Sequence, residues 1–166
     1  IAERICRYKS AKYTIERPLH LGAVAANVEA GSALMPMLSA YGLPLGDAFQ
    51  MRDDMLGAFG DSAITGKPVG GDFLEGKPTP MLARAYALAS APQLKILDTI
   101  GTAGMSHDDV AAVQEVVAAT GAAAEMESLI VSLRDEAVAS LDKQLIQGAA
   151  YEALLDLADA VTQRDI

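Results

Sequence analysis

Gln50, Asp53, Asp54 and Gly57 stand at i, i+3, i+4 and i+7, a spacing that puts all four on one face of a helix. The stretch Leu45 to Gly57 is free of proline and apolar on its other side, so the spacing predicts that helix. One face then carries an amide, two adjacent carboxylates and a notch without a side chain. Neighbouring carboxylates repel each other, and a hard divalent cation relieves the repulsion. Magnesium takes one or two carboxylates, several waters and phosphate oxygens. Lys67 and Lys77 follow in a Gly-rich stretch and can serve as point charges toward such oxygens. Together these residues describe a metal-bridged diphosphate site. Each piece alone is ordinary: an Asp-Asp pair is usually a solvated helix face, and Gly-Lys-Pro is usually a loop.

The order of the pieces is what is unusual. Phe49-Gln50, Asp53-Asp54-Met55-Leu56-Gly57, Gly60-Asp61, Gly66-Lys67, Gly71-Asp72 and Gly76-Lys77-Pro78-Thr79 succeed one another within one stretch. That series resembles the second aspartate-rich region of the trans-isoprenyl diphosphate synthases, the polyprenyl synthetase family. The Asp-Asp-Met-Leu-Gly form with Phe59-Gly60-Asp61 is most similar to the bacterial geranylgeranyl-type members. Upstream, Lys9-Ser10-Ala11 resembles the Lys-Thr segment of the family, with Ser10 keeping the hydroxyl.

The resemblance implies an all-α isoprenoid synthase fold, helices around a deep apolar cavity, and residues 1–166 as the C-terminal portion of one such domain. It implies a magnesium-dependent prenyltransferase that condenses isopentenyl diphosphate with an allylic diphosphate, working as a cytoplasmic homodimer. By position, Asp53 would be the main metal ligand and Asp54 would support it through water. Lys9, Lys67 and Lys77 would contact diphosphate. Ser10 and Gln50 would stabilise the allylic cation by their dipoles, and Asp72 would orient a lysine or a metal-bound water. Two departures stand out. The third aspartate of the motif is here Gly57, with Asp61 one turn further on as a partial substitute, and an aspartate at position 57 should be tolerated. The first aspartate-rich motif and the residues that set product length lie upstream in the family and have no counterpart here, so these residues alone should be inactive. A non-catalytic regulatory subunit or a helical scaffold is the alternative. Retention of Lys9, Gln50, Asp53, Asp54, Lys67 and Lys77 argues against both. A terpene cyclase would carry an Asn/Ser/Glu metal motif at this position.

The elements that must position these groups read as helices throughout. The chain has 166 residues, half of them apolar, with few aromatics and no tryptophan, which suits packed helices better than a β-sandwich. A net charge of −9 makes nucleic acid a poor partner. The single cysteine, Cys6, excludes an internal disulfide and reads as a core residue. No uninterrupted apolar run is long enough for a membrane span. The pattern predicts a helix over 1–17, a break or kink at Pro18, a helix over 19–30, and a bent helix from Gly31 through Tyr41-Gly42-Leu43-Pro44 into the Asp pair. Residues 61–79 read as loop. Further helices are expected over 81–91, 93–100, 106–120 (with Ser106 opening a capping box), 122–145 and 150–164. His20 and His107 show no ligand spacing and read as surface or capping residues.

Overall fold

The computed structural model describes residues 6–29, 32–60 and 69–163. They are helical and contain no strand, which is the expected class. A π-wound segment, Cys6–Glu16, runs directly into α1 (Arg17–Ala25). Then follow α2 (Leu34–Phe59), α3 (Gly71–Leu74), α4 (Pro80–Leu88), α5 (Ala91–Leu97), α6 (His107–Ala119), α7 (Ala122–Ala139) and α8 (Ala149–Thr162). Among the described residues no single helix is long and apolar enough to cross a membrane. Two compact units are distinguishable: Glu3–Arg52 with Leu129–Arg164, and Asp53–Ser128.

The first unit is built on Tyr41 and Leu45 of α2, both fully buried, with Ile15, Leu38, Ala137, Leu154 and Ala158 around them. Tyr41 donates its hydroxyl to the Leu154 carbonyl at 2.7 Å, and Arg52 Nε donates to the Thr162 carbonyl at 2.8 Å, so two points along α2 are pinned to α8. The π-wound segment crosses α2 at Ala11 and Gly46. A Cβ on Gly46 would lie 2.3 Å from the Ala11 Cα, so the two backbones touch where no side chain fits. An open apolar cavity of about 570 Å³ lies in this unit, with Ile15, Leu19, Leu38, Leu154 and Leu157 among its walls.

In the second unit α6 packs against α3, α4 and α5 and buries Val110, Val113, Val116 and Val117. Gln114 of α6 donates to the Ala58 carbonyl at the end of α2 at 2.7 Å. Phe59 and Phe73 meet edge to face, with centroids 6.4 Å apart.

Several boundaries differ from the sequence reading. Pro18 does not break the helix: the chain is helical on both sides of it, and only the winding changes, from π over Cys6–Glu16 to α from Arg17. That helix stops at Ala25 rather than Ala30, because Asn27 turns left-handed (φ 62°) and the Val28 N–H closes back on the Ala23 carbonyl at 3.0 Å. Pro92 opens α5 instead of ending α4. The helix from Ala122 ends at Ala139, not near Leu145. There the Ser140 hydroxyl turns back to the Ala137 carbonyl, and Asp142 accepts from the Gln144 N–H, so side chains compete with the helical pattern. In α7 Ile130 is buried while its neighbour Leu129 is exposed. The long helix through Pro44 and the Ser106 capping box are as expected.

Candidate functional site

Within the expected loop, residues 71–77 form a turn that brings two charged side chains together. Helix α3 closes with Gly76 in the left-handed region (φ 66°), the Gly76 N–H on Phe73 and the Lys77 N–H on the Asp72 carbonyl at 3.0 Å. Glycine is needed there because another side chain would strain the left-handed conformation. The closure sets Lys77 beside Asp72, and the side chains meet at 3.0 Å. The other side of the Lys77 ammonium contacts Asp54 of α2 at 2.9 Å. Asp54 is buried, so its charge is held by lysine rather than by bulk water. Burial alone would pull the Lys77 pKa down. The hydrogen bonds and charges of Asp54 and Asp72 outweigh it, and the pKa is raised above the ordinary lysine value. Thr79, also buried, caps α4 by accepting the Leu82 N–H at 3.2 Å, which anchors the chain two residues beyond Lys77.

In the first unit, Ser10 and Gln50 are brought together across the Ala11–Gly46 crossing, the Ser10 hydroxyl donating to Gln50 Oε1. Three residues earlier on each element, Arg7 and Asp47 form an ion pair at 2.7 Å. The sequence reading missed Arg7, Asp47 and Thr79 as positioning residues. The signal available was the shared i, i+3 spacing of Arg7 with Ser10 and of Asp47 with Gln50.

Asp53 is half-buried, the more accessible of the carboxylate pair. The side chain of Lys9, and Asp61 and Lys67 altogether, lie outside the described residues, as does the Cys6 side chain. His20 faces the Ser39 hydroxyl at 3.0 Å, and His107 opens α6. A Cβ at position 57 would lie 2.5 Å from the Asp72 carboxyl carbon, so an aspartate there requires the Asp72 side chain to move aside.

The donor set fits magnesium. Asp53 and Asp54 offer hard oxygens and no sulfur or imidazole, and no three acidic, His or Cys side chains gather into a protein-made cage among the described residues. An ion held here would keep positions for water and phosphate oxygens, which is the habit of magnesium. In formal charges, Asp54, Lys77 and Asp72 leave one net negative charge, and Asp53 on the same helical turn adds another.

The model of the polyprenyl synthetase family matches residues 3–119. The chain belongs to that family. Among its relatives is the geranylfarnesyl diphosphate synthase of Aeropyrum pernix, 40% identical over 114 residues, which are 69% of this chain and 34% of that protein. The octaprenyl diphosphate synthase of Escherichia coli is 34% identical over 77% of this chain and 39% of its own length. A geranylgeranyl pyrophosphate synthase from Corynebacterium glutamicum, solved with isoprenyl diphosphate and magnesium, superposes with a TM-score of 0.92 at 43% identity. The match covers 99% of this chain and 46% of that one. A polyprenyl synthase from Caulobacter crescentus, solved with calcium and isoprenyl diphosphate, gives 0.86 at 32% identity over 98% and 49%. The chain thus spans about a third of these curated relatives and less than half of these solved polyprenyl synthetases.

Proposed function

We propose that the 166 residues are the C-terminal portion of a single isoprenoid synthase domain. The whole protein would be a prenyltransferase of geranylgeranyl type that joins isopentenyl diphosphate to an allylic diphosphate. The observation that carries this reading is the Asp54–Lys77–Asp72 ion triad beside Asp53 in a polyprenyl synthetase chain.

The reaction breaks the carbon–oxygen bond of the allylic diphosphate, forms a carbon–carbon bond from the isopentenyl double bond, and releases a proton and pyrophosphate. Charge grows on the leaving oxygens and on the allylic carbon. Magnesium, when bound by Asp53 with support from Asp54, supplies positive charge at the leaving group. Lys77 is held still by two carboxylates, so its ammonium is a preorganised charge toward phosphate oxygens and needs no reorganisation as the bond breaks. Lys9 and Lys67 are assigned the same task from their positions in the sequence. The Ser10–Gln50 pair presents dipoles that would stabilise a carbocation. The open apolar cavity of the first unit has the lining a hydrocarbon tail would need. Action as a homodimer belongs to the same proposal, and the single cysteine supports a reducing, cytoplasmic setting.

The test is Asp53→Ala in the full-length protein, assayed for condensation. Turnover should fall by about 10²-fold or more, the scale of losing charge stabilisation at a reacting centre. Chelating magnesium should abolish turnover in the unaltered protein. Near-unchanged condensation by Asp53→Ala would remove the metal role.

A further inference from the structure

Position 57 lies one turn beyond Asp53 and Asp54 on the same helix, and it is glycine. The space its side chain would take is already occupied. An added Cβ would meet Asp72 Cγ at 2.5 Å and both carboxylate oxygens at 2.5 and 2.8 Å. The same carboxylate holds Lys77 at 3.0 Å, and Lys77 in turn holds Asp54 at 2.9 Å. So α2 gives up a side chain of its own, and a carboxylate from α3 fills the notch.

We propose that Asp72 is a positioning residue seated in the Gly57 notch, where it fixes the Lys77 ammonium against Asp54, so that Gly57, Asp72 and Lys77 act as one unit. The inference rests on the proposed function only in what Lys77 is positioned for: the oxygens of a diphosphate.

The chain of cause is specific. The atoms nearest the notch are the end of a short flexible side chain, not backbone. A methyl group at position 57 is therefore accommodated by Asp72 swinging away, and Lys77 loses one of its two anchors. Gly57→Ala should then copy Asp72→Ala although it touches neither charged group. Once Asp72 is removed, the notch is empty and position 57 should tolerate a side chain. An aspartate there can return a carboxylate to Lys77 from the helix itself.

The experiment is a mutant cycle in the full-length protein with two readouts: affinity for inorganic pyrophosphate in the presence of magnesium, and the Lys77 ammonium signal in ¹⁵N NMR, which is visible only while the group is held. Asp72→Ala and Gly57→Ala should each weaken pyrophosphate binding by about tenfold, the scale of one well-placed charge-assisted hydrogen bond. The Gly57→Ala/Asp72→Ala double variant should match Asp72→Ala within about twofold, because both changes act on one contact. Gly57→Asp/Asp72→Ala should recover most of the loss and the ammonium signal. If Gly57→Ala alone does not fold, the two double variants, with the notch open, keep the comparison. Multiplying effects in the double variant, or an ammonium signal that survives Asp72→Ala, would overturn the inference. A signal that follows the cycle in a protein with no pyrophosphate affinity would uphold the positioning and reject the proposed function instead.

Discussion

The Tyr41 hydroxyl is fully enclosed, and it spends its proton on the Leu154 carbonyl at 2.7 Å. Burial, and then the charge of Asp159, raise its pKa above the usual tyrosine value of 10.0. The folded state therefore holds this proton more tightly than the unfolded chain does. Its contribution to stability is complete below pH 10.0 and is lost as pH rises through the higher folded value. Tyr86, raised by burial and Asp98, acts in the same sense. Tyr41→Phe should cost about 1 kcal/mol in denaturant unfolding at neutral pH, the net worth of one hydrogen bond plus an unpaired buried carbonyl. It should also flatten part of the stability loss above pH 10.0, the rest belonging to Tyr86. An unfolding free energy that is unchanged at pH 7 and falls as steeply as before in alkali would contradict this account. Gln50, Asp53, Asp54 and Lys77 stand out in the sequence as candidates by type and spacing, and the structure brings Asp54 and Lys77 together. The mutual exclusion of a side chain at position 57 and the Asp72 carboxylate was not legible there. It depends on how residues 71–77 turn, and no helical spacing links 57 to 72.

Two elements carry the geometry of the Ser10–Gln50 pair. The π-wound segment and α2 touch backbone to backbone at Ala11 and Gly46, one residue from Ser10 and one turn from Gln50. Gly46→Ala has no flexible neighbour to displace, because the obstructing atom is a main-chain Cα at 2.3 Å. It should cost about 1–3 kcal/mol, the usual penalty of overpacking, and should separate Ser10 from Gln50. A thermal midpoint unchanged from the parent would show that the crossing has slack. On the far side of Lys77, Thr79→Ala removes the cap of α4 and should destabilise by about 1 kcal/mol. Equilibrium denaturation measures it directly. At this scale helix existence was readable from apolar periodicity, and helix ends were not. Asn27 and Pro92 act through backbone geometry that a hydrophobic pattern does not encode. Ser140 and Asp142 end α7 by capturing backbone groups locally, where the apolar pattern through Leu141 continues undisturbed. The turn over 71–77 was hidden for the same reason: four helical residues are too few to show a period.

For the whole molecule, composition decided the class correctly. An alanine- and leucine-rich chain without tryptophan folds as helices, and the order of its motifs is that of the polyprenyl synthetase family. The fold of each compact unit follows from that composition. Small residues let main chains approach closely, as between the π-wound segment and α2 at Gly46 and between two turns at Gly76 and Gly101, and aliphatic faces close the cores. The overall acidity, −9, makes sense for a chain whose candidate site offers a surplus of carboxylate to a divalent cation. What the molecule does as a whole depends on whether Asp53 and the Lys77 ammonium serve one diphosphate. The most direct measurement is a crystal structure of the full-length protein with magnesium and an allylic diphosphate. The account predicts a magnesium ion at about 2.1 Å from an Asp53 oxygen and a phosphate oxygen within hydrogen-bonding distance of Lys77 Nζ. Diphosphate bound elsewhere, with no metal on Asp53, would contradict it.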